Sequence, residues 1–198
     1  MIAIVDYKAG NLASVAKALD HLGFPCQVTS DPGALARAAK IVLPGVGHFA
    51  ATAELGRSGL GDAIAQAIAR GVPFLGICVG MQWMFAGSEE APDVPGLGLF
   101  PGRCARFAAG VKVPHVGWNR IRRTGSSRLL EGIAPDAFVY YTHSYRAPVA
   151  GGAVAVTDYG DEFAAVVERD SVFGVQFHPE KSADAGLRLL RNFCEIAC

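Results

Sequence analysis

The chain has 198 residues, 51% of them apolar, with 18 basic side chains set against 18 acidic ones. That is enough chain for one large domain, expected to span residues 1–198, whose core needs no covalent staples. The balanced charge excludes a bulk field that would draw nucleic acid or an anionic membrane.

The first half alternates strand and helix signals. Ile2–Asp6 is a β-branched apolar run, as a buried strand requires. It lacks the basic stretch of a signal peptide. Asn11 is placed to cap a helix whose apolar face repeats at Leu12, Val15, Ala16, Leu19 and Leu22 before Gly23 ends it. Pro25–Thr29 is a second strand. Asp31-Pro32 opens a short helix through Ala39, and Ile41–Leu43 is a third strand, broken by Pro44-Gly45. His48–Leu55 and Gly61–Arg70 have helical spacing, and Pro73–Ile77 is a fourth strand that runs into Cys78. Strands interleaved with short helices predict βαβ units and a mostly parallel sheet flanked by helices.

From Gly98 onward the helical period fades. Short β-rich runs take over at Arg103–Phe107, Asn119–Ile121, Phe138–Thr142, Ala153–Thr157, Ala164–Glu168 and Val172–Phe177. Turn residues separate them, which predicts an antiparallel β-rich section added to the sheet edge. A last helix is expected over Ala183–Ala197. The fold class is therefore α/β. No apolar run reaches the ~18 residues of a membrane span, and the cytoplasm is the expected compartment. Cysteines stand at 26, 78, 104, 194 and 198, with no C-x-x-C pair. A disulfide framework or zinc site is not expected. Neither a metal nor a cofactor is expected. Four of the five thiols read as inert, and Cys78 does not.

Phe74-Leu75-Gly76-Ile77-Cys78-Val79-Gly80 ends a strand on a small reactive residue with glycine two before and two after. This is the thiol form of a nucleophile elbow, where a sharp strand-to-helix turn leaves no room for neighbouring side chains. A helix starting after Cys78 would favour the thiolate through its dipole. The Val79 N–H would point into the same space and serve an oxyanion. His178 follows the apolar strand Val172–Phe177, and Glu180 lies two residues further on. Residues two apart in extended chain share a side. Glu180 can thus orient the imidazole while its other nitrogen takes the thiol proton. Glu180 is equally placed to cap the last helix. Leu43-Pro44-Gly45-Val46-Gly47 offers free backbone N–H groups, with Val46 or Gly47 as a second oxyanion donor, or is an ordinary glycine-rich turn.

Pro44–Gly47, Gly76–Gln82 and Gly174–Glu180, in that order along the chain, resemble the class I, triad-type glutamine amidotransferases. The resemblance implies attack by Cys78 on the side-chain amide of glutamine, proton donation by His178 to departing ammonia, and hydrolysis of a glutamyl thioester. It also implies a glutamine pocket lined by Gly47 and Gln82, with the backbone of His143, Ser144 and Tyr145 at the α-carboxylate. Within that family, Gly45–Phe49, Lys112–Asn119, Tyr140–Tyr145 and Gln176–Ser182 resemble the glutaminase subunits of imidazole glycerol phosphate synthases. Val79 departs from the usual leucine and Val116 from the usual methionine; neither removes a reacting atom. This resemblance implies a (β/α)8-barrel cyclase as partner in a heterodimer that makes imidazole glycerol phosphate and AICAR in histidine biosynthesis. Trp118, Asn119, Tyr140 and Lys181 would lie at the interface and ammonia passage. The rival readings are an ammonia-supplying subunit of anthranilate or pyridoxal phosphate synthesis, a cysteine peptidase-like hydrolase, and a binding subunit that has lost its chemistry.

Overall fold

A computed structural model describes residues 1–197, so Cys198 lies outside the described residues. In chain order the elements are β1 (Ile2–Val5), α1 (Leu12–His21), β2 (Cys26–Thr29), α2 (Pro32–Ala36) and β3 (Lys40–Gly45). Next come α3 (Ala53–Arg57), α4 (Leu60–Ala69), β4 (Phe74–Cys78) and α5 (Val79–Gln82). The small strands β5 (Gly87–Ser88), β6 (Ala91–Pro95) and β7 (Ala105–Arg106) lead to β8 (His115–Arg120) and β9 (Arg122–Arg123). The chain ends with β10 (Phe138–His143), β11 (Tyr145–Arg146), β12 (Ala153–Asp158), β13 (Glu162–Arg169), β14 (Val172–Val175) and α6 (Ala183–Glu195).

The main sheet has the order β2-β1-β3-β4-β14-β13-β12-β9. Its first five strands run parallel, and β13, β12 and β9 extend the edge antiparallel. Every residue of β1, β3, β4 and β14 is buried. Strands covered on both faces require such unbroken apolar runs. Helix α1 packs beside α6, while α2 and α3 pack on α4. A separate ribbon pairs β8 with β10, Trp118 opposite Tyr140. Among the described residues no helix is long and apolar enough to cross a membrane.

Several expectations shift. Asn11 stands before α1 but makes no side-chain cap; its amide is used elsewhere. The helix from Asp31 stops at Ala36, with the Asp31 carboxylate accepting from the N–H groups of Gly33 and Ala34. His48–Leu55 divides into a 3₁₀ turn, Phe49–Thr52, and α3. Pro44 does not break its strand: it lies inside β3, opposite Ile77. Pairing with β1 ends at Val42, so Pro44 has a strand neighbour on one side only, a position that tolerates a missing N–H. The run at Arg103–Phe107 contracts to β7, and the one at Asn119–Ile121 belongs to a strand that starts four residues earlier, at His115. The hairpin β5–β6 carries no clear signal in the sequence.

Candidate active site

The carboxyl ends of three adjacent strands, β3, β4 and β14, meet at one place, where open α/β sheets bind ligands. The register of β3 on β4 sets Gly45 opposite Cys78. The register of β14 on β4 sets Val175 opposite Ile77, which carries Gln176 to the level of Cys78 and His178 just beyond. Two parallel strands thus bring together residues about a hundred positions apart.

Cys78 has φ +55° and ψ −108°, a conformation most side chains avoid. The flanking glycines explain how it is held. A Cβ on Gly80 would lie 1.9 Å from the Leu43 carbonyl oxygen, and one on Gly76 would lie 2.7 Å from the Gly80 oxygen. The turn closes so tightly that backbone occupies the side-chain space. The helix after it, α5, is only four residues long. The dipole expected to favour the thiolate is therefore that of a single turn.

His178 Nδ1 lies 2.9 Å from Glu180 Oε1, and both side chains are 1% exposed. The carboxylate can only accept, so Nδ1 carries the proton. Burial works against a charged imidazole, but the Cys78 sulfur and the Glu180 carboxylate outweigh it and raise the His178 pKa to about 10. Burial likewise disfavours the Glu180 carboxylate; hydrogen bonds from His178 and Asn11 outweigh that and lower its pKa. The Asn11 amide donates to Glu180 Oε1 at 3.1 Å. His178 Nε2 is buried with no hydrogen bond of ordinary geometry among the described residues, which leaves it to the neighbouring Cys78 sulfur. The backbone is fixed as well. His178 N–H donates to the Tyr140 carbonyl, and Ser182 Oγ bridges the Tyr140 N–H and the His178 carbonyl.

A cavity of about 300 Å³ opens onto the thiol. Gly47, Cys78, Val79, Gln82, Glu90, His143, Ser144 and Tyr145 all line it, while Val46 does not. Gly47 has φ +92° and open space where a side chain would stand. The Gln82 amide is committed, donating to the Tyr145 carbonyl at 2.8 Å and to Gln176 Oε1 at 3.2 Å. Gln176 Nε2 in turn reaches Cys78 Sγ at 3.7 Å. A larger hollow of about 470 Å³ lies beside Trp83 and α4 and includes none of the three triad candidates.

Trp118, Tyr140 and Lys181 cluster outside the cavity. The two rings stand 6.0 Å apart, and Lys181 Nζ lies 5.9 Å from the Tyr140 ring centre. Val116, Trp118 and Phe138 are each at least half exposed on the same ribbon. Asn119 projects from the other side of it, donating to the Asp158 carbonyl at 2.9 Å. Asn11, expected as a helix cap, and Glu90, His115 and Gln176 have no role in the site from sequence alone. Gln176 lies in the Gln176–Ser182 run, two residues before His178 on the same side of the chain, and that spacing is its signal. Glu90 sits in the unpredicted hairpin and had none.

The profile of the family Glutamine amidotransferase class-I matches residues 3–197. The chain is 50% identical to the imidazole glycerol phosphate synthase subunit HisH of Moorella thermoacetica, covering 98% of this chain and 94% of that one. It is also 50% identical to the protein of the same name from Methanothermobacter thermautotrophicus, covering 99% and 98%. A solved glutamine amidotransferase superposes with a TM-score of 0.77 at 20% identity, covering 98% of each chain. The structure of PurLQS from Thermotoga maritima gives 0.76 at 20% identity, covering 98% and 96%. Those two share its fold.

Proposed function

The chain belongs to the class I glutamine amidotransferases, and from that membership we propose that it is the glutaminase subunit of imidazole glycerol phosphate synthase, acting through Cys78, His178 and Glu180. The observation that carries the chemistry is the buried His178–Glu180 pair beside a strained cysteine at the mouth of a polar cavity. The observation that carries the choice of synthase is identity of 50% along nearly the full length of two proteins bearing that subunit's name.

Glutamine enters side chain first, with its amide carbon toward Cys78 Sγ. The Glu90 carboxylate, the acidic group among the described lining residues, suits the α-ammonium. The N–H groups of the His143–Tyr145 segment suit the α-carboxylate. Transfer of the thiol proton to His178 gives a thiolate that attacks the amide carbon. The resulting oxyanion is met by the Val79 N–H and by a second N–H from the Val46–Gly47 turn. The Gly47 peptide already borders the cavity. His178 then protonates the leaving nitrogen, and ammonia departs, leaving a thioester on Cys78. In the second half His178 takes a proton from water, which attacks the thioester and releases glutamate. Glu180, kept ionised, holds the imidazole in the tautomer both steps need.

The ammonia is delivered to a (β/α)8-barrel cyclase that makes imidazole glycerol phosphate and AICAR in histidine biosynthesis. The docking face is the outer side of the β8–β10 ribbon, with Trp118, Tyr140 and Lys181 beside the triad segment. Exposed aromatic and apolar side chains grouped on one face are the composition of an interface core. The chain works as a single domain in the cytoplasm. Labelling with a glutamine-analogue electrophile tests the chemistry: one equivalent should attach at Cys78 and none in Cys78→Ala. Labelling at another residue would sink the assignment.

A further inference from the structure

His115 and His143 are buried, 3% and 7% exposed, and neither imidazole takes part in the steps above. Their nitrogens are nonetheless fully specified. His143 Nδ1 lies 2.9 Å from the Tyr145 carbonyl oxygen. A carbonyl can only accept, so the proton is on His143 Nδ1. In the neutral ring Nε2 is then bare, and it lies 3.1 Å from His115 Nδ1. That contact needs a donor, so His115 also carries its proton on Nδ1. Its own bare Nε2 faces the Asn119 amide at 3.4 Å, and the Asn119 oxygen is taken by the Arg120 N–H at 2.8 Å. Every donor points the same way, from Asn119 through both rings to Tyr145. Burial holds both rings neutral, with the His115 pKa lowered to about 4 and that of His143 to about 3. Tyr141 and Tyr159 stack on His115, with ring centres 4.8 and 3.9 Å away.

The chain ends at a carbonyl that also receives the Gln82 amide at 2.8 Å. Two fixed donors therefore clamp Tyr145, and Ser144 and Tyr145 line the cavity. The lone pair of His143 is consumed by His115, so His143 is no base for the reaction, although it borders the same cavity.

We propose that His115 and His143 are positioning residues for the glutamine pocket: a one-way chain of hydrogen bonds from Asn119 through both imidazoles fixes the Tyr145 carbonyl, and with it the backbone that receives glutamine. The proposal rests on the reading of that cavity as the glutamine pocket. It extends to the partner. The β8–β10 ribbon carries Trp118 outward and His115 and Asn119 inward, so one rigid strand pair joins the docking face to the pocket wall. Docking that shifts the ribbon shifts the end of the chain.

Two measurements test it, both with the cyclase bound. The first is the nitrogen-15 NMR signature of the histidine rings. Both His115 and His143 should be neutral with the proton on Nδ1, the less common form in water. A proton on Nε2 of either ring overturns the chain, whatever the protein does with glutamine. The second compares Cys78 alkylation by a diazoketone analogue of glutamine with alkylation by iodoacetamide. His115→Phe keeps the ring and leaves His143 Nε2 buried without a donor. It should slow the analogue about tenfold and leave iodoacetamide unchanged. His115→Asn, whose amide nitrogen falls near the place of Nδ1, should recover most of the rate. Analogue labelling of His115→Phe at the wild-type rate contradicts the proposal, and so does a parallel loss with both reagents, which would make His115 a residue of the fold alone. Failure of the analogue on the wild-type complex would refute the glutaminase reading, and the NMR result would still decide the hydrogen-bond chain.

Discussion

The side-chain amide of Asn11 donates to Glu180 Oε1 at 3.1 Å across 169 positions of sequence. The same oxygen meets His178 Nδ1 at 2.9 Å, so the carboxylate is held from two sides. The loop that carries Asn11 also touches the Pro44–Gly47 turn, since Gly10 packs with its Cβ position 3.0 Å from the Pro44 oxygen. Asn11→Ala should lower kcat for glutamine hydrolysis in the synthase about tenfold, the usual effect of removing one hydrogen bond to a buried charge. The melting temperature should move little. Steady-state kinetics with an unchanged kcat would contradict this role.

The charge of His178 gives stability a pH dependence. Its pKa is raised from 6.5 to about 10. A histidine with a raised folded-state pKa adds stability that is complete below its unfolded pKa and disappears as the pH climbs toward the folded one. The window is therefore pH 6.5 to 10. Cys78→Ala removes the sulfur that helps raise the pKa and should flatten this part of the curve. Thermal unfolding of both proteins at pH 6, 8 and 10, compared pairwise, checks it; parallel curves are the adverse outcome.

Two glycines at the site should fail in different ways. A Cβ on Gly80 would meet the Leu43 backbone oxygen at 1.9 Å, and backbone cannot step aside. Gly80→Ala should lose about 3 kcal/mol or more and yield little soluble protein. Gly47 has space around it but φ +92°. Gly47→Ala should fold, at a cost of ~1–2 kcal/mol, while hydrolysis drops because the turn relaxes away from the thiol. Solubility and activity measured side by side separate the two cases.

Trp118 is 52% exposed and stands against Tyr140, which Lys181 overlies. Trp118→Ala should weaken cyclase binding by about 2 kcal/mol, roughly thirtyfold in Kd. Iodoacetamide labelling of Cys78 in the free subunit should be unaffected. Titration calorimetry giving the same Kd for both proteins would remove Trp118 from the interface.

The strained turn at Cys78, the His178–Glu180 pair and the parallel sheet are legible in sequence because each has a local signal: glycines around Cys78, a two-residue spacing, apolar runs between helices. What was not legible depends on partners far away. Asn11 has the residue type and place of a helix cap, yet Glu180 competes for its amide and wins. Pro44 read as a strand breaker because nothing local shows that β3 lacks a neighbour on one side there. Asn119 read as a companion of Trp118 at the interface; with alternation along β8 it faces inward, to Asp158 and His115. The helix after Cys78 is expected from sequence as a dipole source, and nothing local shows that it ends after one turn.

The central claim is that Cys78 makes the ammonia that a bound cyclase consumes. The most direct measurement is synthase turnover with glutamine or with ammonium as the nitrogen source, in the wild type and in Cys78→Ala. The predicted result is loss of glutamine-driven turnover in Cys78→Ala with ammonium-driven turnover intact. Glutamine-driven turnover that survives the substitution would contradict the account.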